Sequence, residues 1–122
     1  MNEHETNAEL QPPIPGAPAE CLIELASLRW QSPATGLRVK EVCRGSQRLR
    51  LIEFSEAFVE ADWCRAGHIG YVIDGTLEID FNGKPVRFHA GDGLWIPEGE
   101  HSQHKANVPK GKVILFVVEQ SE

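Results

Sequence analysis

The chain of 122 residues lacks any run of eighteen apolar residues, so the sequence predicts no membrane-spanning helix. Its opening residues are acidic and contain several prolines, and they lack the basic and apolar regions of a signal peptide. We therefore expect a cytoplasmic protein that does not enter a membrane.

Cysteine is scarce. The three cysteines, Cys21, Cys43 and Cys64, have neither CxxC nor zinc-ribbon spacing. An odd number of widely separated cysteines argues against a disulfide framework. We interpret them as mostly buried thiols.

Basic charge is also in short supply, with 12 lysines and arginines against 18 acidic residues. The first twenty residues hold four glutamates and no lysine or arginine, so the remainder carries 18 − 4 = 14 acidic residues against 12 basic ones. Neither part offers the basic surface that attracts phosphate backbones, and we expect no nucleic-acid partner.

Proline and glycine divide the chain. Residues 1–20 contain four prolines and form a proline-rich, acidic arm to which we assign no fold, while residues 21–122 are long enough for one domain. Eight of the eleven glycines lie in the second half. Glycines between short alternating runs are typical of an all-β sandwich or barrel.

Several segments read as strands or turns. The sequence predicts strands at residues 37–43, 47–55 and 113–118. The last of these is a continuous apolar run, which predicts a strand covered on both faces. Residues 22–30 fit either a strand or a helical turn, and residues 32–36 indicate a turn. Within 47–55 the apolar residues change sides near position 52, which predicts a bulge or a strand passing between sheets.

The strongest local pattern is a hairpin. Residues 76–81 alternate apolar and polar side chains, Asn82-Gly83 follows, and alternation resumes through residue 89. Asn-Gly favours a two-residue type I′ turn, which pairs Phe81 with Lys84. That register places five residues on the core face, namely Leu77, Ile79, Phe81, Val86 and Phe88.

The segment around this hairpin resembles the paired motifs of the cupin superfamily. A strand YVIDG ends at Gly75, the hairpin follows, and GDGLWIPEG then presents Gly91, Pro97 and Gly99 with the family's spacing. The resemblance covers about residues 58–107 and implies an all-β double-stranded β-helix, the cupin jelly-roll barrel. It also implies a homodimer, for which the arm is a natural element to exchange.

Metal-binding cupins hold a divalent metal with two histidines and a glutamate from the first motif and a histidine from the second. This sequence departs from that pattern: the glutamate position is His68, and the two histidine positions fall on Asp62 and Cys64 or on Ala61 and Trp63. The second-motif histidine position is Ser102. Because alternate residues of a strand share a face, we expect His104 on the side of Ser102 and His101 on the other side, unless the turn is one residue shorter.

The candidate metal ligands are therefore His68, His104, His101, Asp62 and Cys64. The candidate residues for binding a small organic ligand are Trp63, Glu60, Tyr71 and Trp95. Each has a plainer interpretation. His68 and His104 would line a metal-free pocket, Cys64 would be a buried thiol, the tryptophans would fill the barrel ends, and Tyr71 would cover a sheet or dimer contact. His89 belongs to the polar face of the hairpin.

Two functions remain open. One is a metal-dependent cupin that acts on a small organic molecule, with its reaction unassigned. The other is a metal-free module that binds a small ligand without catalysis. The sequence favours the first.

Overall fold

The computed structural model describes residues 18–120, so most of the predicted arm lies outside the described residues. Two antiparallel sheets account for most of the described chain. A short helix α1 (Pro18–Cys21) and a 3-10 turn (Leu25–Ser27) precede the strands. The strands are β1 (Gln31–Ala34), β2 (Leu37–Arg44), β3 (Gln47–Ser55), β4 (His68–Asp74), β5 (Thr76–Phe81), β6 (Lys84–His89), β7 (Gly93–Ile96), β8 (His104–Asn107) and β9 (Lys112–Gln120).

The larger sheet has the order β1-β2-β3-β9-β4-β7, and the smaller one has the order β6-β5-β8. Their inner faces enclose one hydrophobic core, to which both sheets contribute. The prediction of an all-β jelly-roll barrel is confirmed. No helix among residues 18–120 is long and apolar enough to span a membrane.

The predicted hairpin forms in the predicted register. Phe81 pairs with Lys84 across the turn, and both turn residues have positive φ, 53° at Asn82 and 93° at Gly83. Glu78 and Arg87 lie opposite each other in this register and form a cross-strand ion pair at 3.3 Å. The predicted core face holds except at Val86, which is 44% exposed because β6 is an edge strand.

Strand β3 is regular, and the prediction of a bulge or sheet change near residue 52 is wrong. Nine consecutive residues of β3 pair with β9 without a register shift. Arg50, Ile52 and Phe54 all face the space between the sheets. The apolar pattern changes sides because the inward positions in the first half of β3 are arginines, Arg48 and Arg50, instead of apolar residues.

The segment before β2 also differs from the prediction. Residues 22–30 contain the short 3-10 turn, and residues 31–34, where a turn was predicted to begin, form β1. Pro33 is compatible with this strand because β1 is at the edge of its sheet and the missing N–H interrupts no ladder on its open side.

One face of the larger sheet points away from the core. Val113, Leu115 and Val117 of β9 are buried, whereas the alternating Ile114, Phe116 and Val118 are only partly covered. The prediction of a strand covered on both faces is therefore half correct. Four neighbouring apolar side chains extend this outer apolar face and are 47–77% exposed, namely Ile69, Tyr71, Ile73 and Trp95.

A cavity of about 170 Å³ lies between the two sheets. Eleven of its seventeen lining residues are apolar, and the remainder bring polar or charged groups to a mainly hydrocarbon wall. Those six residues are Arg50, Glu60, Cys64, His68, His104 and Glu119.

Candidate functional site

Cys64 and His104 are brought together by their backbones. The N–H of Cys64 donates to the carbonyl oxygen of His104 at 2.9 Å, and the N–H of His104 donates to the carbonyl of Cys64 at 2.9 Å. Residues that exchange both hydrogen bonds in an antiparallel pair project their side chains to the same side. This bridge therefore directs the thiol and the imidazole into the cavity together.

His68 reaches the same place from the start of β4. Its Nε2 atom lies 3.7 Å from the Sγ atom of Cys64, and its ring meets that of His104 edge-on with 5.0 Å between centroids. One ligand atom from each of Cys64, His68 and His104 lies within 4.8 Å of the others. We call this group the donor cluster.

Both imidazoles of the donor cluster are oriented through Nδ1. His68 Nδ1 is hydrogen-bonded to the carboxylate of Glu119, and His104 Nδ1 donates to the carbonyl oxygen of Ser102 at 2.9 Å. An acceptor at Nδ1 fixes the proton there and leaves the lone pair on Nε2 when the ring is neutral. The Nε2 atoms of both rings are therefore the ones available to a common partner.

Glu119 connects the donor cluster to two arginines. Its side chain is 1% exposed, and its Oε1 atom accepts from Nε and Nη2 of Arg48 at 3.0 and 2.8 Å and from Nη1 of Arg50 at 3.3 Å. Burial raises the pKa of Glu119, but the hydrogen bond with His68 and the neighbouring positive charges outweigh burial and bring the pKa to about 2. Glu119 is thus an ionised, buried carboxylate.

The thiol and its neighbouring imidazole are shifted in opposite directions. Hydrogen bonds from His104 and then His68 lower the pKa of Cys64 to about 6, against the effect of burial. Burial lowers the pKa of His68, but its contacts with Cys64 and Glu119 prevail and raise the pKa to about 9. Their contact thus favours the thiolate form of Cys64 and the imidazolium form of His68 in the metal-free cluster.

Glu60 belongs to the loop that carries Cys64. Its Oε1 atom accepts from the N–H of Ala106 in β8 at 2.8 Å, and its side chain lines the cavity; its contact with a ligand stays a prediction. This bond and the Cys64–His104 bridge both attach the loop between β3 and β4 to the smaller sheet.

Of the predicted metal ligands, the structure brings Cys64, His68 and His104 together. Asp62 is exposed and lies outside the donor cluster. His101 is exposed on the 3-10 turn Glu100–Ser102, because the chain turns there before β8 begins. The three cysteines were predicted to be mostly buried, and this is wrong: Cys21 and Cys43 are exposed and Cys64 is half-buried.

The three aromatic residues predicted to contact a ligand do not line the cavity. Trp63 is 37% exposed, with Nζ of Lys105 4.7 Å from its ring centroid. Tyr71 and Trp95 lie on the outer apolar face, 51% and 77% exposed. They point outward because their strand positions alternate with the inward residues Val72 and Leu94. His89 is exposed on the hairpin, as expected.

Sequence reasoning missed Glu119 and Arg50. The signal was present in the alternation of the strands. Glu119 continues the inward series of Val113, Leu115 and Val117, and Arg50 precedes the inward Ile52 by two residues. Charged residues at inward positions of core strands are candidates for a site, because burial of an unpaired charge is unfavourable.

Residues 65–119 match the family model described as the cupin domain. A search of the curated proteins finds no match. Solved structures with the same fold include the EutQ protein of Clostridium difficile (23% identity, 82% of this chain and 86% of that chain covered, TM-score 0.65). An RmlC-like cupin from Shewanella frigidimarina has 20% identity, with 80% and 86% covered and a TM-score of 0.66.

A structure of FeII HppE has 12% identity, covers 80% of this chain and 58% of its own, and has a TM-score of 0.66. Identities this low show the fold alone. The sequence match over residues 65–119 and the two-sheet barrel together support the predicted resemblance to a small single-domain cupin.

Proposed function

We propose that the donor cluster binds one divalent transition-metal ion and that the cavity beside it binds a small organic ligand. The observation that carries this proposal is the convergence of Cys64 Sγ with the Nε2 sides of His68 and His104, each ring being held through Nδ1. Metal-bound histidines are typically oriented by an acceptor on the other ring nitrogen.

The distances within the donor cluster fit a single ion. A tetrahedral centre with Zn–S and Zn–N bonds of about 2.3 and 2.1 Å separates sulfur and nitrogen ligands by about 3.5 Å. Cys64 Sγ and His68 Nε2 are 3.7 Å apart, so only a small adjustment is needed.

The donor atoms favour a particular class of metal. A thiolate and two imidazoles suit Zn²⁺, Co²⁺, Fe²⁺ or copper, whereas Mg²⁺ and Ca²⁺ prefer oxygen ligands. Three protein ligands leave a coordination position free, which is the arrangement of catalytic rather than structural zinc sites. A metal bound there would act as a Lewis acid toward an oxygen of the ligand.

The protein's own residues supply the surroundings. Glu119 holds the His68 ring, the Ser102 carbonyl holds the His104 ring, and the hydrocarbon wall limits water around the ligand. These groups position the donors and define the space for the ligand, and the reaction itself is not assigned.

A metal-free alternative is favoured by one observation. Cys64 Sγ and His68 Nε2 are already hydrogen-bonded to each other at 3.7 Å, so both groups have a partner without an ion. In this alternative the protein is a binding module whose cavity holds a small ligand.

Metal analysis separates the two functions. Protein purified without a metal-affinity tag is expected to contain about one equivalent of a transition metal, or to bind one equivalent of Zn²⁺ or Co²⁺ after EDTA treatment. Cys64→Ser, His68→Ala and His104→Ala are each expected to lose that binding. Ligation by Cys64 predicts a thiolate-to-cobalt charge-transfer band that disappears in Cys64→Ser.

Matched controls exist on the surface. His89→Ala and Cys43→Ser remove an exposed imidazole and an exposed thiol and are expected to leave metal content unchanged. A parent protein that binds no equivalent of Zn²⁺ or Co²⁺ would discard the metal proposal in favour of the binding module.

A further inference from the structure

Arg50 is the feature of the cavity that the donor cluster leaves unexplained. It lies on the inward face of β3, next to Ile52 and Phe54, and its side chain is 18% exposed. Among the lining residues that the structure describes, it is the only cation apart from the two histidines. A guanidinium in a hydrocarbon wall requires compensation, because burial of charge without partners is unfavourable.

The hydrogen bonds of Arg50 leave most of its donors unused. Nη1 donates to Glu119 Oε1 at 3.3 Å, but the same oxygen accepts two shorter bonds from Arg48. Nε is buried and has no hydrogen-bond partner, although Glu41 Oε1 lies 3.1 Å away in an unfavourable direction. Nη2 has no partner within residues 18–120.

Two nearby carboxylates form ion pairs with Nε and Nη1 of Arg50, but each is shared or exposed, and neither contacts Nη2. Glu119 is shared among His68, Arg48 and Arg50. Glu41 does not line the cavity and lies with Arg50 in a second groove. Its side chain is 36% exposed, and solvent weakens charge interactions there. Glu60 lines the cavity, but its Oε1 atom accepts from Ala106.

We propose that Arg50 is the anchor for a carboxylate, and that the cavity binds a small monocarboxylic acid with an apolar body. A planar guanidinium fork matches the two oxygens of a carboxylate, and the neighbouring aliphatic and aromatic side chains match a hydrocarbon. This inference rests on the ligand-binding part of the proposed function, and its anchor does not require the metal.

The size and charge of the cavity limit the ligand further. A volume of about 170 Å³ corresponds to about six water molecules at their liquid volume, which suits a short acyl or single-ring body. A second carboxylate would meet Glu60 and would find no further guanidinium or ammonium, since neither Arg48 nor any lysine described lines the cavity. The cavity wall therefore favours a ligand with one carboxylate over a ligand with two.

Binding of pentanoate, benzoate and their amides, titrated by calorimetry or by amide chemical shifts, tests this proposal. Each titration is run on EDTA-treated protein and on protein loaded with Zn²⁺. We expect the acids to bind both forms and the uncharged amides to bind at least about tenfold more weakly, since a charge-assisted hydrogen bond contributes about that factor.

Two arginine variants form a matched pair. Arg50→Gln is expected to weaken acid binding about tenfold or more, because it removes the charge from the cavity wall. Arg87→Gln removes the charge of an exposed arginine that contacts Glu78 and does not line the cavity, and it is expected to retain binding within about twofold. Arg50→Lys keeps the positive charge and replaces Arg50→Gln in the test if that variant fails to fold. We expect the affinity of Arg50→Lys for the acids to fall several-fold, because lysine cannot form the bidentate pair.

The outcomes distinguish this inference from the metal proposal. Acid binding to EDTA-treated protein that is lost in Arg50→Gln supports the inference even if no metal binds. Acid binding that requires Zn²⁺ and is unaffected by Arg50→Gln overturns it while the metal proposal stands. Equal binding of acids and amides, or no binding of either acid to either form, also overturns it.

Discussion

His68 Nδ1 is hydrogen-bonded to Glu119, a carboxylate whose side chain is 1% exposed and which two arginines also contact. The contact exists because Ile69 of β4 pairs with Val118 of β9, so the residues beside them, His68 and Glu119, meet at the ends of adjacent strands. The orientation of one candidate ligand is therefore fixed where the beginning of β4 lies beside the end of β9.

The first prediction concerns this contact. Glu119→Gln keeps the shape of the side chain but removes its charge, so His68 loses its ionised partner. We expect affinity for Zn²⁺ to fall by about 10- to 100-fold, as is usual when a partner of a metal-bound histidine is changed. Competition with a chromophoric chelator measures the affinity. Glu41→Gln is the control, since Glu41 contacts Arg48 and Arg50 but not His68; equal affinities of Glu119→Gln and parent would contradict the prediction.

A second prediction concerns Gly75, which lies between β4 and β5 and has φ of +87°. A Cβ atom there would collide with the carbonyl oxygen of Lys112 and lie 2.9 Å from Cα of Val113. Gly75→Ala is expected to cost about 1–3 kcal/mol more in unfolding free energy than Gly83→Ala. Gly83 is the control because it has φ of +93° and open space around a Cβ atom, so it reports backbone strain alone. Urea denaturation of both variants supplies the comparison, and equal losses would show that the collision is relieved.

A third prediction concerns acid stability. The hydrogen bond from Arg38 lowers the pKa of Glu53 below its ordinary value of 4.5, with Lys112 adding a weaker attraction. Because the folded pKa is the lower one, this contribution is complete above pH 4.5 and is lost as pH falls through the folded pKa. The two cationic partners of Glu53, Arg38 and Lys112, are exposed, so we expect this contribution to the unfolding free energy to be about 0.5–1 kcal/mol. Urea unfolding should show Glu53→Gln less stable than the parent at pH 7, with the difference shrinking as pH falls below 4.5; a constant difference would contradict this.

A fourth prediction concerns the outer apolar face, which includes Ile69, Tyr71 and Trp95. We expect two copies to pack these faces together as a homodimer, because a sheet face of this kind is self-complementary about a two-fold axis. Trp95→Glu should shift the mass measured by light scattering from dimer to monomer. Val59→Glu is the control: Val59 is 80% exposed but belongs to the loop between β3 and β4 and not to a strand of this face. A monomeric parent protein would remove this prediction.

The fold predictions that were correct depended on local sequence patterns. Alternation and the Asn82-Gly83 turn were sufficient for the hairpin register, because turn type and pleat determine which residues face each other. The N-terminal segment was not predictable in this way. The 3-10 turn at Leu25–Ser27 is accompanied by a tertiary contact, the hydrogen bond from Lys40 Nζ to the Leu25 carbonyl at 3.0 Å, and no local signal encodes it.

The candidate site was only partly visible in the sequence. The second-motif spacing and strand alternation selected His104 over His101, and the structure likewise places His104 in the donor cluster and His101 at the surface. Glu119 went unnoticed because it lies 51 residues from His68 and outside any motif. Such contacts depend on which strands become neighbours in the sheet, and periodicity within one strand does not contain that information.

The bridge between Cys64 and His104 has a consequence for how a ligand enters. The backbone bonds that set the spacing of these two donors also fasten the loop before β4 to β8. If this loop swung outward to admit a ligand, the sulfur and the imidazole would separate and a bound ion would lose part of its coordination. Opening of this loop would therefore admit a ligand only at the expense of metal binding. A ligand that enters without releasing the ion has to pass between side chains while this loop stays closed.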